Sequence, residues 1–442
     1  MVFLEKNRVF NILLFLFPVS FLLGNLLINL EIFLFILFGL FFYGFKIFYI
    51  KEKSLLLIAL FFILLFFSTA IANLDEYRDD SLIKSILFFR YLICLLIVRY
   101  ALKEGSLNLK YLFLSSLICS LFLSVDVIYQ YFNGYDFFGF MGEASHNSGI
   151  FDEEKIAGSY IQRFSILGVF SIPLILKTKN SKTNYYIFLF LIISIIGIIF
   201  SGNRMPIINI FLFFLLPIFF LKELKKVFLI IIISSLLIFT LSLKNNVTYK
   251  NNINSFFTNV SNMIPLVLSE FSKRYTLTEK ELKAEFETQP GKKYTIKDYK
   301  YGSGHAVLYV TGIETWMDNP VIGDGIKSFR HNCAKKMDVT HRRCNTHPHQ
   351  YYIEILNDVG LAGILIFFFS FYFLYIEKRK INFNSFKEQK YIYFAVLFSL
   401  LIELFPFKST GSFFSTGNAA FIFFLIGLML NLENIKKNKK HS

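Results

Sequence analysis

Charge is scarce in this chain: only 17% of its 442 residues are charged and 55% are hydrophobic, which excludes an ordinary water-soluble globule. Also missing are a Walker-type phosphate loop, a dinucleotide fingerprint, and any soluble cytoplasmic domain that could take a nucleotide sugar. An enzyme built this way has to use a donor already carried across the membrane. No internal repeat is found, and the first apolar run lacks an A-x-A-like cleavage site, so that run is expected to be retained. Cysteine occurs at four positions.

What the chain has in excess is apolar length. Runs of roughly 18 or more residues, enough to span a ~30 Å hydrocarbon core as helix, recur in both halves. They predict an all-α polytopic membrane protein with about 12 spans, near 10–29, 32–50, 55–73, 82–100, 109–131, 159–176, 185–201, 205–221, 227–243, 352–376, 391–407 and 414–432. Lys84 and Arg90 interrupt the fourth.

The basic residues orient this array. With the N-terminus inside, the cytoplasmic loops hold clusters such as Lys51 and Lys53, Lys222, Lys225 and Lys226, and the tail lysines Lys436, Lys437, Lys439 and Lys440; the opposite short loops are poor in basic residues and include the acidic "NLDEYRDD" (73–80) and "GIFDEEK" (149–155). Both termini are therefore expected in the cytoplasm. The net charge of +15 follows from positive-inside retention and contact with anionic membrane lipids, and calls for no nucleic acid.

Three regions result: an N-terminal transmembrane bundle (1–243), a large outer loop expected to be mainly helical (244–351), and C-terminal helices with a basic tail (352–442). Within the loop, 253–271 reads as an interfacial helix, 279–289 as a polar helix, and 306–320 as a helix stopped before Pro320. Cys94 and Cys119 fall inside spans. Cys333 and Cys344 lie eleven positions apart in the outer loop, where a disulfide is expected because that compartment permits it. The rival reading is a metal site of Cys333, His341, Cys344, His347 and His349, but these lack the paired short spacings of structural zinc sites.

The candidate chemistry centres on "THPHQYYIEILNDVGLAG" (346–363). Pro348 suits the first helical position, so the tenth span is expected to begin there, with His349 in its first turn beside His347 and the exposed N–H groups of the helix start. Arg204, in "SGNR" between the seventh and eighth spans, and Arg163, just inside the outer end of the sixth, add guanidinium forks suited to a pyrophosphate. The loop near the paired cysteines is basic as well, with Arg330, His331, Lys335, Lys336, Arg342 and Arg343. Glu354, Asp358 and Glu403 are the carboxylates expected to be sequestered, as bases, as orienting groups, or as packing partners for a lysine or serine. A lipid or polysaccharide transporter would also explain many spans with inward arginines, but not a histidine pair at a helix start.

Several of these segments together resemble the O-antigen ligase and polymerase superfamily of bacterial membrane glycosyltransferases. The resemblance is carried by "SGNR", "DNPVIGDGIKSFRHNC" (318–333) and "CNTHPHQYYIEILNDVGLAG" (344–363), supported by "GSYIQRFSI" (158–166) and "FPFKSTGSFFSTGNAAF" (405–421). Gln350 stands where many relatives have asparagine, and Asp358 where many have glutamate. The resemblance implies a helical C-type membrane glycosyltransferase whose periplasmic loop caps a lipid-facing cavity. It implies inverting transfer, without metal or cofactor, of a glycan from undecaprenyl pyrophosphate to a hydroxyl acceptor at the periplasmic face of the bacterial inner membrane. Arg163 and Arg204 would bind the pyrophosphate, His349 would act on the acceptor hydroxyl or departing phosphate with His347 beside it, and Arg330 would take a donor or acceptor phosphate. The paired cysteines and "HPHQ" resemble the ligases, which use lipid A-core, more than the polymerases, which extend lipid-linked repeat units. Protein O-glycosylation is a third possibility in the superfamily.

Overall fold

A computed structural model describes residues 2–72, 77–143, 146–176, 181–245, 304–336, 344–379, 387–409 and 411–432, with isolated positions between 247 and 265. The polar stretch 279–289, most of 253–271, His341 and the tail lysines lie outside the described residues. The described chain is helical, with two isolated bridges in the 135–146 loop. Its helices are α1 (Val2–Leu23), α2 (Asn25–Tyr43), α3 (Lys53–Ile71), α4 (Arg78–Lys103), α5 (Lys110–Asn133), α6 (Ala157–Gly168), α7 (Ser171–Leu176), α8 (Ser181–Phe200), α9 (Arg204–Phe220) and α10 (Lys225–Asn245). Then come α11 (Gly304–Trp316), the short α12 (Phe329–Asn332), α13 (Tyr351–Lys378), α14 (Lys387–Glu403) and α15 (Thr416–Asn431).

Each expected span overlaps one of these helices. Among the described residues nine helices are long and apolar enough to cross a membrane, and α9 and α15 are shorter apolar helices. The chain is a polytopic helical membrane protein. Its centre is α15, where every residue from Asn418 to Asn431 is buried, as expected of a helix that is apolar on all sides. Phe17 stacks on Phe424 at 4.0 Å, and Phe62 meets Phe423 at 4.9 Å, so α1 and α3 close on this helix with aromatic faces. Small residues bring backbones together elsewhere. A side chain at Gly168 would fall 2.7 Å from the Leu117 backbone, and one at Gly427 would fall 2.9 Å from the Leu95 carbonyl oxygen.

Three boundaries differ from expectation. The first two spans part at Gly24, not between 29 and 32, because the backbone there takes φ 97°, which a side chain would resist. The tenth helix starts at Tyr351, not at Pro348: His349 has φ 58° and stands outside it, while the Gln350 side chain accepts from Ile353 N at 2.7 Å and caps the helix. That helix is also broken, at Gly360 (φ 63°). Loop residues 320–325 fill the break: Leu361 N donates to Pro320 O (2.8 Å), Ala362 N to Val321 O (2.9 Å), Asp324 N to Asn357 O (2.8 Å) and Gly325 N to Asp358 O (2.9 Å). Interrupted backbone survives among membrane helices only when protein satisfies it, and here the 320–325 loop does so.

The break can be tested directly. A Cβ at Gly360 would lie 2.4 Å from the Val321 backbone, and the conformation itself costs a side chain ~1–3 kcal/mol. Gly360→Ala is expected to lower the thermal unfolding midpoint of the detergent-solubilised protein and to expose the 318–328 loop to protease; an unchanged digestion pattern would contradict this packing.

Candidate functional site

A cavity of about 840 Å³ opens between α1–α2, α6, the start of α9 and the loop after α14, with Tyr309 of α11 in its wall. Arg163, Arg204 and His349, drawn from three distant parts of the chain, all line it, together with Lys155, His146 and Lys408. Phe21, Ile28, Phe164 and Ile208 are among its apolar lining residues. The lining is therefore both cationic and apolar.

The turn "SGNR" is held against the start of α6. Gly202 has φ 74°, the Asn203 side chain accepts from Gly158 N (2.9 Å) and donates to Lys155 O (2.9 Å), and Arg204 becomes the first residue of α9. Gly158 is required for this fit, because a Cβ there would fall 2.4 Å from Ser201 Oγ. Burial first, then Lys155, holds the His146 imidazole below its ordinary range; Arg204 pushes the same way and Glu143 opposes. Lys155 and Arg204 thus both act on His146, while Lys155 is itself paired with Glu143 at 2.5 Å.

Arg163 is fixed by α14 and α15. Its Nε donates to Glu403 Oε2 (2.9 Å) and its Nη2 to Glu403 Oε1 (2.6 Å) and to Asn418 Oδ1, and its guanidinium lies 5.3 Å over the Phe421 ring. Glu403 Oε1 also receives Tyr351 Oη (2.8 Å) and Lys408 Nζ (2.8 Å). One buried carboxylate therefore faces two cations, leaving this group with an excess positive charge while Lys408 is protonated. Burial pushes the Lys408 ammonium down to about 8, although Glu403 pulls the other way. Because the charged form is lost above that value, the apparent affinity for an anionic donor is expected to fall as pH rises through about 8, by about tenfold per unit at full dependence on the charge. Replacing Lys408 with arginine should move this alkaline limb to higher pH in a pH profile of kcat/KM; a limb that stays in place would assign it to another group.

His349 presents its ring to the cavity from a left-handed backbone, with Asn345 Nδ2 3.2 Å from its Nε2. The His347 ring lies beside it at 4.1 Å between centroids, with its Nδ1 3.0 Å from Thr346 Oγ1, but does not line the cavity. Gln350 reaches across to donate to Pro406 O (2.8 Å), joining the histidine segment to the loop that carries Lys408. Cys333 and Cys344 are joined as a disulfide, so their sulfurs are not available as thiolate ligands to a metal. Among the described residues no group of three or more histidine, cysteine and acidic side chains is arranged to hold a metal ion.

Arg330 is placed elsewhere, in α12, and does not line the cavity. The other two carboxylates singled out in the sequence hold loops. Glu354 accepts from Ser412 Oγ (2.5 Å) and Phe413 N (2.6 Å), and Asp358 from Lys327 N (2.6 Å), Ser328 N (3.2 Å) and Ser328 Oγ (3.0 Å). Lys155, His146, Tyr309, Tyr351 and Lys408 were not recognisable as site residues, although Lys408 stands in a polar interruption, "FPFKSTGS", between two apolar runs.

A cationic and histidine-bearing pocket open to apolar helices agrees with what the comparison of sequences finds. Residues 189–368 match a family model described as O-antigen ligase. Over that segment the chain is similar to the O-antigen ligase family. Members of the O-antigen ligase family are glycosyltransferase-like enzymes, and the match supports a function of the O-antigen ligase or polymerase type acting on lipid-linked glycans in a membrane. The matched segment contains Arg204, His347, His349, Arg330 and the disulfide, while Arg163 and Lys408 fall outside it. No curated protein matches the chain.

Proposed function

We propose that this protein transfers a glycan from an undecaprenyl-pyrophosphate-linked donor to a hydroxyl of lipid A-core, at the periplasmic face of the bacterial inner membrane. The observation that carries this reading is the meeting of Arg163, Arg204 and Lys408 with His349 in one cavity that also has apolar lining residues. The polyprenyl chain would lie against Phe21, Ile28 and Phe164, and the diphosphate against the three cations. His349 would take the proton of the acceptor hydroxyl as its oxygen bonds to the anomeric carbon; the bond from that carbon to the pyrophosphate breaks with inversion. Arg163, Arg204 and Lys408 would stabilise the charge that develops on the leaving diphosphate, with no step assigned to a metal.

Our preference for ligase over polymerase activity rests on the resemblance of the "HPHQ" block and the paired cysteines to ligases. The test is transfer by the purified protein from the lipid-linked donor, with lipid A-core present or omitted. Glycan joined to the core is expected, and longer lipid-linked chains formed without the core would make the protein a polymerase. Arg204→Ala should lower kcat about 10²–10³-fold, the usual loss when one charge-stabilising donor is removed. Full activity of that variant would remove Arg204 from the diphosphate site.

A further inference from the structure

Two parts of the chain far apart in sequence meet outside the cavity. Tyr77, at the entrance to α4, stacks on His331 with 4.0 Å between ring centroids. One turn further along, Lys84 pairs with Asp80. Residues 325–328 are anchored from beneath by the hydrogen bonds to Asp358, and that anchoring holds Lys327 at φ 58°. Lys327 and Arg330 make no ion pair among the described residues, and Arg330 Nε is buried without a hydrogen-bond partner there. None of Lys84, Lys327, Arg330 and His331 lines the 840 Å³ cavity.

We propose that Lys84, Lys327, Arg330 and His331 form a second anion site that docks the phosphate of a phosphorylated acceptor lipid, an inference that rests on the transfer reading above. The nearby carboxylates are already engaged: Asp80 by Lys84, Glu354 by Ser412 and Phe413, and Asp358 by the loop it anchors. Burial and then Arg330 hold the Lys327 ammonium below its ordinary range against the opposing pull of Glu354, and burial and then Arg330 do the same to His331. Lys327 and Arg330, cations that still repel one another, gain most from an incoming anion. Lys84 lies near one end of a membrane-crossing helix, where a lipid headgroup meets it. The disulfide ties the cluster to the catalytic segment, since Cys333 follows His331 by two residues and Cys344 precedes His349 by five. A phosphate held here would position a glycan headgroup whose hydroxyl extends to His349, leaving the cavity to the donor.

The test uses the full-length protein in nanodiscs of neutral phosphatidylcholine, the lipid-linked donor, and lipid A-core either phosphorylated or enzymatically dephosphorylated. The wild type should show a KM for the phosphorylated acceptor lower by about tenfold, the effect of one charge-assisted contact. Lys327→Gln and Lys84→Gln, which lie on separate segments, should each shrink that ratio toward one without changing the KM for the donor, and Lys327→Arg should restore it. An equal KM for both acceptors in the wild type, or a ratio unchanged in both variants, would overturn the proposal. So would a dependence on these lysines of phosphatidylglycerol binding alone, which would assign the cluster to bulk lipid. If the wild type transfers to neither acceptor, the transfer reading fails instead. Binding of the phosphorylated acceptor to donor-free protein then decides the site separately, with loss of affinity in both glutamine variants supporting it and no loss refuting it.

Discussion

His349→Ala is expected to abolish measurable glycan transfer, a loss of about 10²–10⁴-fold if the imidazole is the base for the acceptor hydroxyl. The residue occupies a left-handed backbone position, which few side chains adopt without cost, and its ring faces the cavity that also holds Arg163 and Arg204. Asparagine tolerates that backbone, so His349→Asn removes the imidazole while keeping the local fold. Equal losses in the alanine and asparagine variants would belong to the ring; activity retained by the asparagine variant alone would mean that the segment's shape, and not proton transfer, was lost. His347→Ala should do less, because its ring supports His349 from the side and does not reach the cavity. The measurement is the initial rate per folded protein in membranes, with expression level and helical circular dichroism as controls.

Arg163→Ala is expected to impair both the fold and the reaction. Glu403 is fully buried and depends on the guanidinium fork, so removing one partner of this pair should cost ~3–5 kcal/mol of stability. Lys408 and Tyr351 remain on the same carboxylate and will soften the loss. Arg163→Lys should rescue little, since one ammonium cannot bond both carboxylate oxygens and Asn418 while lying over Phe421. The scaffold and binding roles separate in the double variant Arg163→Met with Glu403→Leu, which removes both charges of this pair and leaves Lys408, already lowered to about 8, to shed its proton. Thermal unfolding should recover toward wild type while donor binding stays lost. Recovery of both would make Arg163 a purely structural partner of Glu403, and the diphosphate site would then rest on Arg204 and Lys408.

These two predictions draw on different depths of information. His349 stood out in the sequence because two histidines around a proline precede a long apolar run, and Arg204 because it follows a tight turn between two spans. Arg163 was visible as a charge inside a span, but its bidentate partner was not, since 240 positions separate it from Glu403. Lys408 carried no signal beyond a polar interruption. Its meaning depends on being buried between Glu403 and Tyr351, a property of packing. Arg330 and His349 are close in sequence and both basic, yet only His349 lines the cavity.

Hydropathy alone determined that this chain crosses a membrane many times as helix, because a lipid core accepts only segments that satisfy their own backbone hydrogen bonds. The length of the apolar runs, roughly twenty residues each, records that constraint locally, so no tertiary contact is needed to read it. The break at Gly360 was decided otherwise. In the sequence that glycine lies inside the expected span 352–376; only the 320–325 loop, folded back to supply the missing hydrogen bonds, makes a broken helix stable there. Which cations share a cavity was likewise left to tertiary structure. Charge placement along a chain is a local property, whereas the pairing of buried charges depends on which helices pack together.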